Sequence, residues 1–256
     1  MGLIEDAEGL LVKTKADSVL VGLSGGKDSI ATLDLCVRRF QRVEAFFMHL
    51  VPGLWCEDAM LARVLKHFPS VKLHRLPHFD LSRYQRENAF GCNPRLRKVA
   101  LLSLAQVEAH LRALTGIEWF AYGERSSDGF ARRAKLNPIG GFWEKFQRVY
   151  PIYRWKERNV YAYIRQRKLP CPTQKLGGRA VSGSVDLHPK SLEWLRDTFP
   201  DDYAKLVRVF PLAPAALFRW EAGLAPDRKG IFHDGTKTRR DRPGDPAGEE
   251  GQEEAG

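Results

Sequence analysis

Apolar runs alternate along the chain with segments whose apolar residues recur at helical spacing. Four short runs predict strands, residues 18–23, 43–51, 71–76 and 117–122, and the first of them is apolar on both faces, as a central parallel strand should be. Helical periodicity between them predicts helices over residues 30–40, 57–68 and 95–114. This alternation predicts an α/β, Rossmann-like fold with a mainly parallel sheet and helices on both faces.

The third of these helices is the longest periodic segment. Its expected inward face consists of Leu96, Val99, Leu102, Ala105 or Gln106, Ala109 and Leu114. By contrast, residues 77–94 have no clear period and predict an irregular segment with one short helical turn around residues 81–86.

The two ends of the chain have their own patterns. Residues 1–17 predict a short amphipathic helix, and residues 189–199, 201–210 and 215–222 predict a small helical C-terminal part. From about Pro226, Gly, Pro and charged residues without apolar periodicity predict a disordered tail. We therefore expect an α/β domain over residues 1–168, a loop and helical part packed on it over 169–225, and a tail over 226–256.

The composition favours a soluble globular protein, with 43% hydrophobic and 28% charged residues among 256. No apolar run reaches the length of a membrane span, and the N-terminus lacks the pattern of a signal peptide. We therefore expect a cytoplasmic protein without a membrane partner. The cysteines Cys36, Cys56, Cys92 and Cys171 are far apart and form no C-x-x-C pair, so neither zinc nor an iron–sulfur cluster is expected.

The charge is unevenly distributed. The net charge is +10, but residues 226–256 contain 6 Lys/Arg and 8 Asp/Glu, a balance of −2, so the remainder carries +12. A body this basic attracts nucleic acid or small anions such as nucleotides. An arginine-rich surface without such a partner is an equally good interpretation.

A glycine turn joins the first predicted strand to the following helix. Gly25 and Gly26 allow the backbone to approach a ligand closely, and the helix start provides unpaired N–H groups that suit a phosphate. Lys27 adds a cation, and the neighbouring hydroxyls of Ser24 and Ser29 add hydrogen bonds. Asp28 does not fit an anion site, because a carboxylate beside a phosphate is unfavourable unless it holds a cation or caps the helix.

A second group of candidate residues follows the fourth predicted strand. Gly123 ends the strand, and Arg125, Arg132 and Arg133 come soon after it. Guanidinium groups at the carboxyl edge of a parallel sheet are well placed to bind phosphates.

Both segments resemble a known family. Ser24-Gly25-Gly26-Lys27-Asp28-Ser29 resembles the PP-loop, S-G-G-x-D-S, of the ATP pyrophosphatase superfamily, also called adenine nucleotide alpha hydrolases. Gly123, Arg125, Asp128 and Arg132 resemble the pattern G-x-R-x-x-[ED]-S-x-x-x-R of phosphoadenosine phosphosulfate (PAPS) reductase-like members, with Gly129 in place of the serine. Residues 150–164 are similar to that family's Trp-containing strand and helix, which we interpret as structural.

The resemblance implies a PP-loop fold and an enzyme that cleaves ATP between the α- and β-phosphates to adenylylate an acceptor. The pyrophosphate would contact Ser24, Gly25, Gly26 and Ser29, with Gly123 also in the nucleotide site. Lys27 would neutralise the developing charge, Asp28 would support the loop or bind Mg²⁺, and Arg125 and Arg132 would clamp phosphates.

Three alternatives remain open at this point. The acceptor could be a nucleic acid or a nucleotide, in keeping with the basic body. The protein could instead bind PAPS or transfer sulfur through Cys92 or Cys171. However, the Cys-containing C-terminal motif of true PAPS reductases is absent, so sulfonucleotide reduction is not expected. It could also be a nucleotide-sensing or DNA-binding regulator without catalysis. The sequence does not indicate the oligomeric state.

Overall fold

The N-terminal half alternates helices and strands in the predicted order. A computed structural model describes residues 2–92, 99–170, 175–176, 179–180 and 184–224. The elements of this half are α1 (Leu3–Lys13), β1 (Ser18–Gly22), α2 (Lys27–Arg39), β2 (Arg42–His49), α3 (Trp55–His67) and β3 (Lys72–Pro77). Each is within a few residues of its predicted bounds.

The remainder of the chain contains shorter strands. It continues with α4 (Asp80–Glu87), α5 (Leu104–Thr115), β4 (Phe120–Ala121), α6 (Phe130–Leu136), β5 (Phe142–Trp143), β6 (Arg148–Val149) and α7 (Glu157–Arg167). Two antiparallel strands of two residues each follow, β7 (Lys175–Leu176) and β8 (Arg179–Ala180). The last elements are the helices α8 (Pro189–Thr198), α9 (Pro200–Val209) and α10 (Ala213–Glu221). The three predicted C-terminal helices are therefore confirmed.

Six strands form one sheet in the order β3-β2-β1-β4-β6-β5. All neighbours in it are parallel except β5, which pairs antiparallel with β6. In the central strand β1, Val21 pairs with Ala45 of β2 on one side and with Ala121 of β4 on the other. The predicted α/β fold with a mainly parallel sheet is confirmed.

The sheet is covered on both faces. Val19 and Val21 of β1 pack into a cluster with residues of α1, α2, α3 and α7. Leu20, between them, faces the opposite side and packs with residues of α5 and α6. Successive side chains of a strand point to opposite faces, so a central strand covered by helices on both sides must be apolar throughout.

The C-terminal helices α8, α9 and α10 share a hydrophobic cluster with Leu50, Val51 and Leu54, which connect β2 to α3. Asp202 of α9 also accepts hydrogen bonds from the backbone N–H groups of Trp55 and Cys56, at 2.9 and 2.8 Å. The helical part thus packs on the α/β body. The domain boundary at residue 168 stays a prediction.

The prediction for the helix over residues 95–114 was partly wrong. Residues 99–103 are not helical, and α5 begins at Leu104, where Ser103 and Gln106 form a capping box. The expected inward residues Ala105, Ala109 and Leu114 are exposed, and the buried residues of α5 are Val107, Glu108 and Leu111. The buried Glu108 explains the error, because a charged residue marks the inner face and misleads a pattern based on apolar positions.

Other elements were missed, and some predictions are not tested. The sequence pattern did not indicate α6 or the β5–β6 hairpin. Cys171, the predicted tail over residues 226–256 and the predicted start of the long helix at residues 95–98 lie outside the described residues. Among the helices that the structure describes, none is long and apolar enough to cross a membrane.

Candidate active site

A cavity of about 560 Å³ opens at the carboxyl ends of β1, β2, β3 and β4. Its volume is in the range of small-molecule sites. The loop after β1, the start of α2, the loop after β4 and the start of α4 all contribute to it. The lining residues are Gly22, Leu23, Ser24, Gly26, Asp28, Ser29, Phe46, Met48, His78, Phe79, Asp80, Leu104, Tyr122, Gly123, Glu124, Asp128, Arg132 and Ser184.

The loop between β1 and α2 forms one wall of this cavity. Gly25 has a φ of +77°, a backbone conformation that favours glycine, and a Cβ there would lie 2.0 Å from the end of the flexible Met60 side chain, which would have to shift. Gly26 is the N-cap of α2 in extended conformation. Ser29 donates to the Gly26 carbonyl at 2.9 Å, and Ser24 donates to the Ser29 hydroxyl at 3.3 Å. The loop therefore presents hydroxyls beside a helix N-terminus, an arrangement that favours an anion.

Gly123 brings the loop after β4 against the start of α2. A Cβ at this position would lie 2.7 Å from the backbone C and O atoms of Asp28 and 2.9 Å from the backbone N of Ser29. Such distances are too short for any side chain, so only glycine allows the two loops to meet. Gly123 thus sets the width of the cavity at its base.

Asp28 is held by two cations. Its Oδ1 lies 2.9 Å from Nε of Arg125, and its Oδ2 accepts from Nζ of Lys27 at 3.1 Å. Arg125 is buried and also donates from Nη2 to Oδ1 of Asp128 at 2.5 Å. Asp128 accepts in addition from Nη1 of Arg132 at 3.1 Å. Arg125 and Lys27 thus offset the negative charge that Asp28 places beside the candidate phosphate site.

The guanidinium of Arg125 forms only part of the hydrogen bonds that it could donate. Its contact with Asp28 is an ion pair in distance, but neither Nε nor Asp28 Oδ1 completes a hydrogen bond, and Nη1 of Arg125 also has no hydrogen-bond partner among the described residues. Arg125 is not among the residues that line the cavity. It joins the loops behind the cavity wall, whereas the sequence had suggested a direct phosphate clamp.

Lys27 also points away from the cavity. Its Nζ lies 3.4 Å from Oε1 of Glu157 and 5.7 Å from the centre of the Tyr161 ring, both on α7. Arg132, by contrast, lines the cavity with a half-exposed side chain. Of the cations predicted for the site, Arg132 is therefore the one placed to touch a ligand directly.

An apolar wall faces the loop. It consists of Phe46, Met48, Phe79, Leu104 and Tyr122. His78 stacks on Phe79 with ring centres 4.5 Å apart, and burial lowers the pKa of this histidine below its ordinary value. A neutral imidazole stacked on an aromatic ring, with flat apolar side chains nearby, suits a planar heterocycle.

Tyr122 is fixed from behind by a buried ionic group. Its hydroxyl donates to Oε1 of Glu108 at 2.5 Å, and Arg148 donates to both oxygens of Glu108 at 2.7 Å. Burial, followed by the charge of Glu108, raises the pKa of Tyr122 well above its ordinary value. The phenol therefore stays protonated and its ring is held at the cavity wall.

Residues 18–174 match a family described as the phosphoadenosine phosphosulfate reductase domain. The matched segment is more than half of the chain. The chain belongs to this family. The curated proteins gave no match.

Three solved structures are similar to this family member. A U34-tRNA thiolase from Methanococcus maripaludis, with its [4Fe-4S] cluster, has 17% identity and a TM-score of 0.43, covering 92% of this chain and 86% of its own. A PAPS reductase from Candida auris in a phosphate complex has 13% identity and a TM-score of 0.43, and the match covers 65% of this chain and 81% of the reductase. An NH3-dependent NAD synthetase from Campylobacter jejuni has 15% identity and a TM-score of 0.43, and the match covers 89% of this chain and 99% of the synthetase. The family assignment rests on the sequence match.

The three cysteines that the structure describes do not reach the cavity. Among the described residues, Cys36, Cys56 and Cys92 are all buried, and none of them lines the cavity. Sγ of Cys92 donates to the carbonyl of Tyr84 at 2.9 Å, and burial raises the pKa of its thiol. Cys92 is therefore a protonated core thiol, and the predicted alternative role for it as a sulfur nucleophile has no support in its surroundings.

The carboxylates around the cavity do not form a ready metal site. Within the described ranges, no group of three or more His, Cys, Asp or Glu residues could hold a metal ion. Asp28, Glu124 and Asp128 each already contact a cation. A resident Mg²⁺ on Asp28 alone does not fit these contacts, because two cations lie within 3.1 Å of its oxygens and, within the described ranges, it belongs to no group of three potential ligands. A Mg²⁺ that arrives on nucleotide phosphates needs fewer protein ligands.

Several lining residues were not predicted from the sequence of this family member. Phe46, Met48 and Tyr122 lie at the carboxyl ends of β2 and β4, so the rule that ligands bind at these ends could have identified them. Glu108 and Arg148 carried no comparable signal. They become neighbours only when α5 packs beside β6.

Proposed function

We propose that the protein is an enzyme that binds ATP in this cavity and cleaves it between the α- and β-phosphates, so that an acceptor is adenylylated. The observation that carries the proposal is the pairing of the Ser24–Ser29 loop with the apolar wall across one cavity. A helix N-terminus with hydroxyls suits phosphates, and an aromatic wall suits adenine. The family match over residues 18–174 supports the same reading.

In the proposed reaction, a nucleophile of the acceptor attacks the α-phosphorus and forms a new bond to it. The bond from the α-phosphorus to the bridging oxygen breaks, and pyrophosphate leaves with the electron pair. Ser24, Ser29 and the first N–H groups of α2 would hold the leaving pyrophosphate. Mg²⁺ bound to the nucleotide would neutralise phosphate charge.

Two cations have separate parts in this proposal. Arg132 would contact a phosphate directly, because it lines the cavity and is half-exposed. Lys27 would turn from Glu157 toward the pyrophosphate as charge develops there. Its contact with Glu157 is weak enough to exchange, since the glutamate side chain is 63% exposed.

Arg125 would position these groups from behind the cavity wall, without touching the nucleotide. The ion pair between Arg125 and Asp28 fixes the loop after β4 against the start of α2. PAPS binding is the second ligand to test, but no described cysteine lines the cavity to attack its sulfur. A regulator that senses nucleotide would bind ATP and release no pyrophosphate.

The experiment is isothermal titration of the purified chain with ATP and with PAPS, each with Mg²⁺. It is paired with chromatographic analysis of products from ATP labelled at the α-phosphate. Ser24→Ala should weaken ATP binding roughly five-fold, the value of one hydrogen bond. Ser70→Ala, at an exposed serine away from the cavity, is the matched control and should change nothing.

Release of AMP or an adenylylated acceptor with pyrophosphate would support cleavage at the α–β position, and release of ADP would contradict it. Lys27→Ala should slow cleavage more than it weakens binding, because Lys27 contacts protein groups in the ground state. Absence of ATP binding would overturn the proposal.

A further inference from the structure

An exposed phenylalanine stands next to the cavity, on α6. Phe130 is 84% exposed, although burial of a phenylalanine side chain is strongly favourable. The helix residues from Phe130 to Ala134 are all exposed, and Leu136 is the buried residue of α6. Packing in the described fold therefore does not account for an aromatic side chain at this position.

Exposed cations lie on the same helix and on the segment packed beside its start. Arg133, three residues after Phe130, is exposed and has no ion pair among the described residues. Ser126 and Ser127 donate to the carbonyls of Tyr153 and Trp155, at 2.6 and 3.1 Å, and so hold the segment before α7 beside the start of α6. That segment and the first turn of α7 expose Arg154, Lys156 and Arg158.

The acidic side chains of the same region are already neutralised. Each contacts a cation: Asp128 contacts Arg125 and Arg132, Glu124 contacts Lys135, and Glu157 contacts Lys27. The remaining cations thus leave a net positive surface around Phe130. This agrees with the +12 balance of residues 1–225.

We infer that this surface, which comprises Phe130, Arg133 and Arg154 and which we call the α6 surface, binds a single-stranded nucleic acid. An exposed aromatic ring between arginines stacks an unpaired base while the cations contact phosphates. Duplex bases are already stacked on each other and cannot use the ring. The inference rests on the proposed function, because it names the class of acceptor that would be adenylylated.

The α6 surface is continuous with the cavity. Arg132, on the same helix, lines the cavity, and the half-exposed guanidinium of this arginine contacts Asp128 at the cavity wall. A strand stacked on Phe130 is thus within one helical turn of Arg132, the cation proposed to contact a phosphate of the nucleotide. A polyanionic protein segment would use the cations but would not need the ring.

The test is fluorescence anisotropy of a labelled short oligouridylate with the full chain, in a salt series. Phe130→Ala should weaken binding roughly ten-fold. Arg133→Ala should lower the slope of log affinity against log salt by about 0.7, the value for one phosphate contact on a single strand. The matched controls are Phe218→Ala and Arg219→Ala, at an exposed Phe-Arg pair on α10, and both should leave binding unchanged.

Three results would overturn the inference: no binding of single strands, equal loss from the α6 and α10 variants, or equal affinity for a duplex or for polyglutamate of matched length. Titration of the same preparations with ATP separates this inference from the proposed function. ATP binding without single-strand binding overturns the α6 surface alone. Single-strand binding that depends on Phe130, without ATP binding, overturns the proposed function and leaves the α6 surface standing.

Discussion

Nε of Arg125 lies 2.9 Å from Oδ1 of Asp28, so a side chain from the loop after β4 holds the first turn of α2. Arg125 is 5% exposed and also contacts Asp128. A buried cation needs carboxylates near it, and Asp28 and Asp128 balance the charge of Arg125 from both loops. The two sides of the cavity are therefore held together before any ligand enters.

We predict that Arg125→Ala lowers the free energy of unfolding by about 2–3 kcal/mol, because two carboxylates lose their buried partner while each keeps a second cation. Urea denaturation measures the change. The matched control is Arg75→Ala, whose partner Asp58 is on the surface and half-exposed, and its effect should stay below about 1 kcal/mol. Equal effects of the two variants would contradict a buried joint between the loops.

A second prediction concerns Gly123. Gly123→Ala places a Cβ 2.7 Å from the backbone of Asp28, so the loops must separate at a cost of about 1–3 kcal/mol. Binding of ATP should weaken in the same variant. Gly9→Ala is the control, since a Cβ at this exposed position of α1 meets nothing within 4 Å. It should stabilise the protein by up to about 1 kcal/mol. A stable Gly123→Ala protein with unchanged ATP binding would contradict the prediction.

The sequence predicted the sheet and the cavity edge because both depend on local patterns. Apolar runs identified β1 and β2, and the Ser-Gly-Gly loop identified the helix start beside the cavity. The contact of Asp28 with Arg125 was not predictable, because Arg125 is 97 positions away along the chain. Only the pairing of β1 with β4 brings these two residues into contact.

Glu108 illustrates the opposite failure. It was not among the residues expected on the inner face of the helix, yet it is 2% exposed and faces the core. The charge is tolerated because Arg148 and the Tyr122 hydroxyl satisfy both carboxylate oxygens. A periodicity based on apolar residues cannot anticipate a partner that another strand supplies, so the inner face of α5 was assigned incorrectly.

A third prediction concerns the contact between α9 and α3. Asp202→Asn should lower the free energy of unfolding by about 1–2 kcal/mol, because the carboxylate caps the N-terminus of α3. Burial alone would raise the pKa of Asp202, but the N–H groups of Cys56 and Trp55 hold this pKa below its ordinary value. Its contribution is therefore present at neutral pH and is lost as the pH falls through that lowered pKa.

Asp201→Asn, at the exposed neighbour, should have little effect in the same urea titration. Similar losses from both variants would show that the cap is not the cause.

A fourth prediction concerns Glu57, whose side chain accepts a hydrogen bond from the backbone N–H of Val185 at 2.8 Å. Burial raises its pKa from 4.5 to about 7. Between these values the folded state keeps a proton that the unfolded state has lost, so stability falls as the pH rises, by roughly 1.4 kcal/mol per pH unit for this group.

Glu57→Gln keeps an acceptor for Val185 and removes the titration. Urea unfolding across this pH window should therefore show a smaller decline with pH in Glu57→Gln than in the unchanged protein. The surface variant Glu8→Gln should retain the full decline, and parallel pH profiles for Glu57→Gln and the unchanged protein would contradict the assignment.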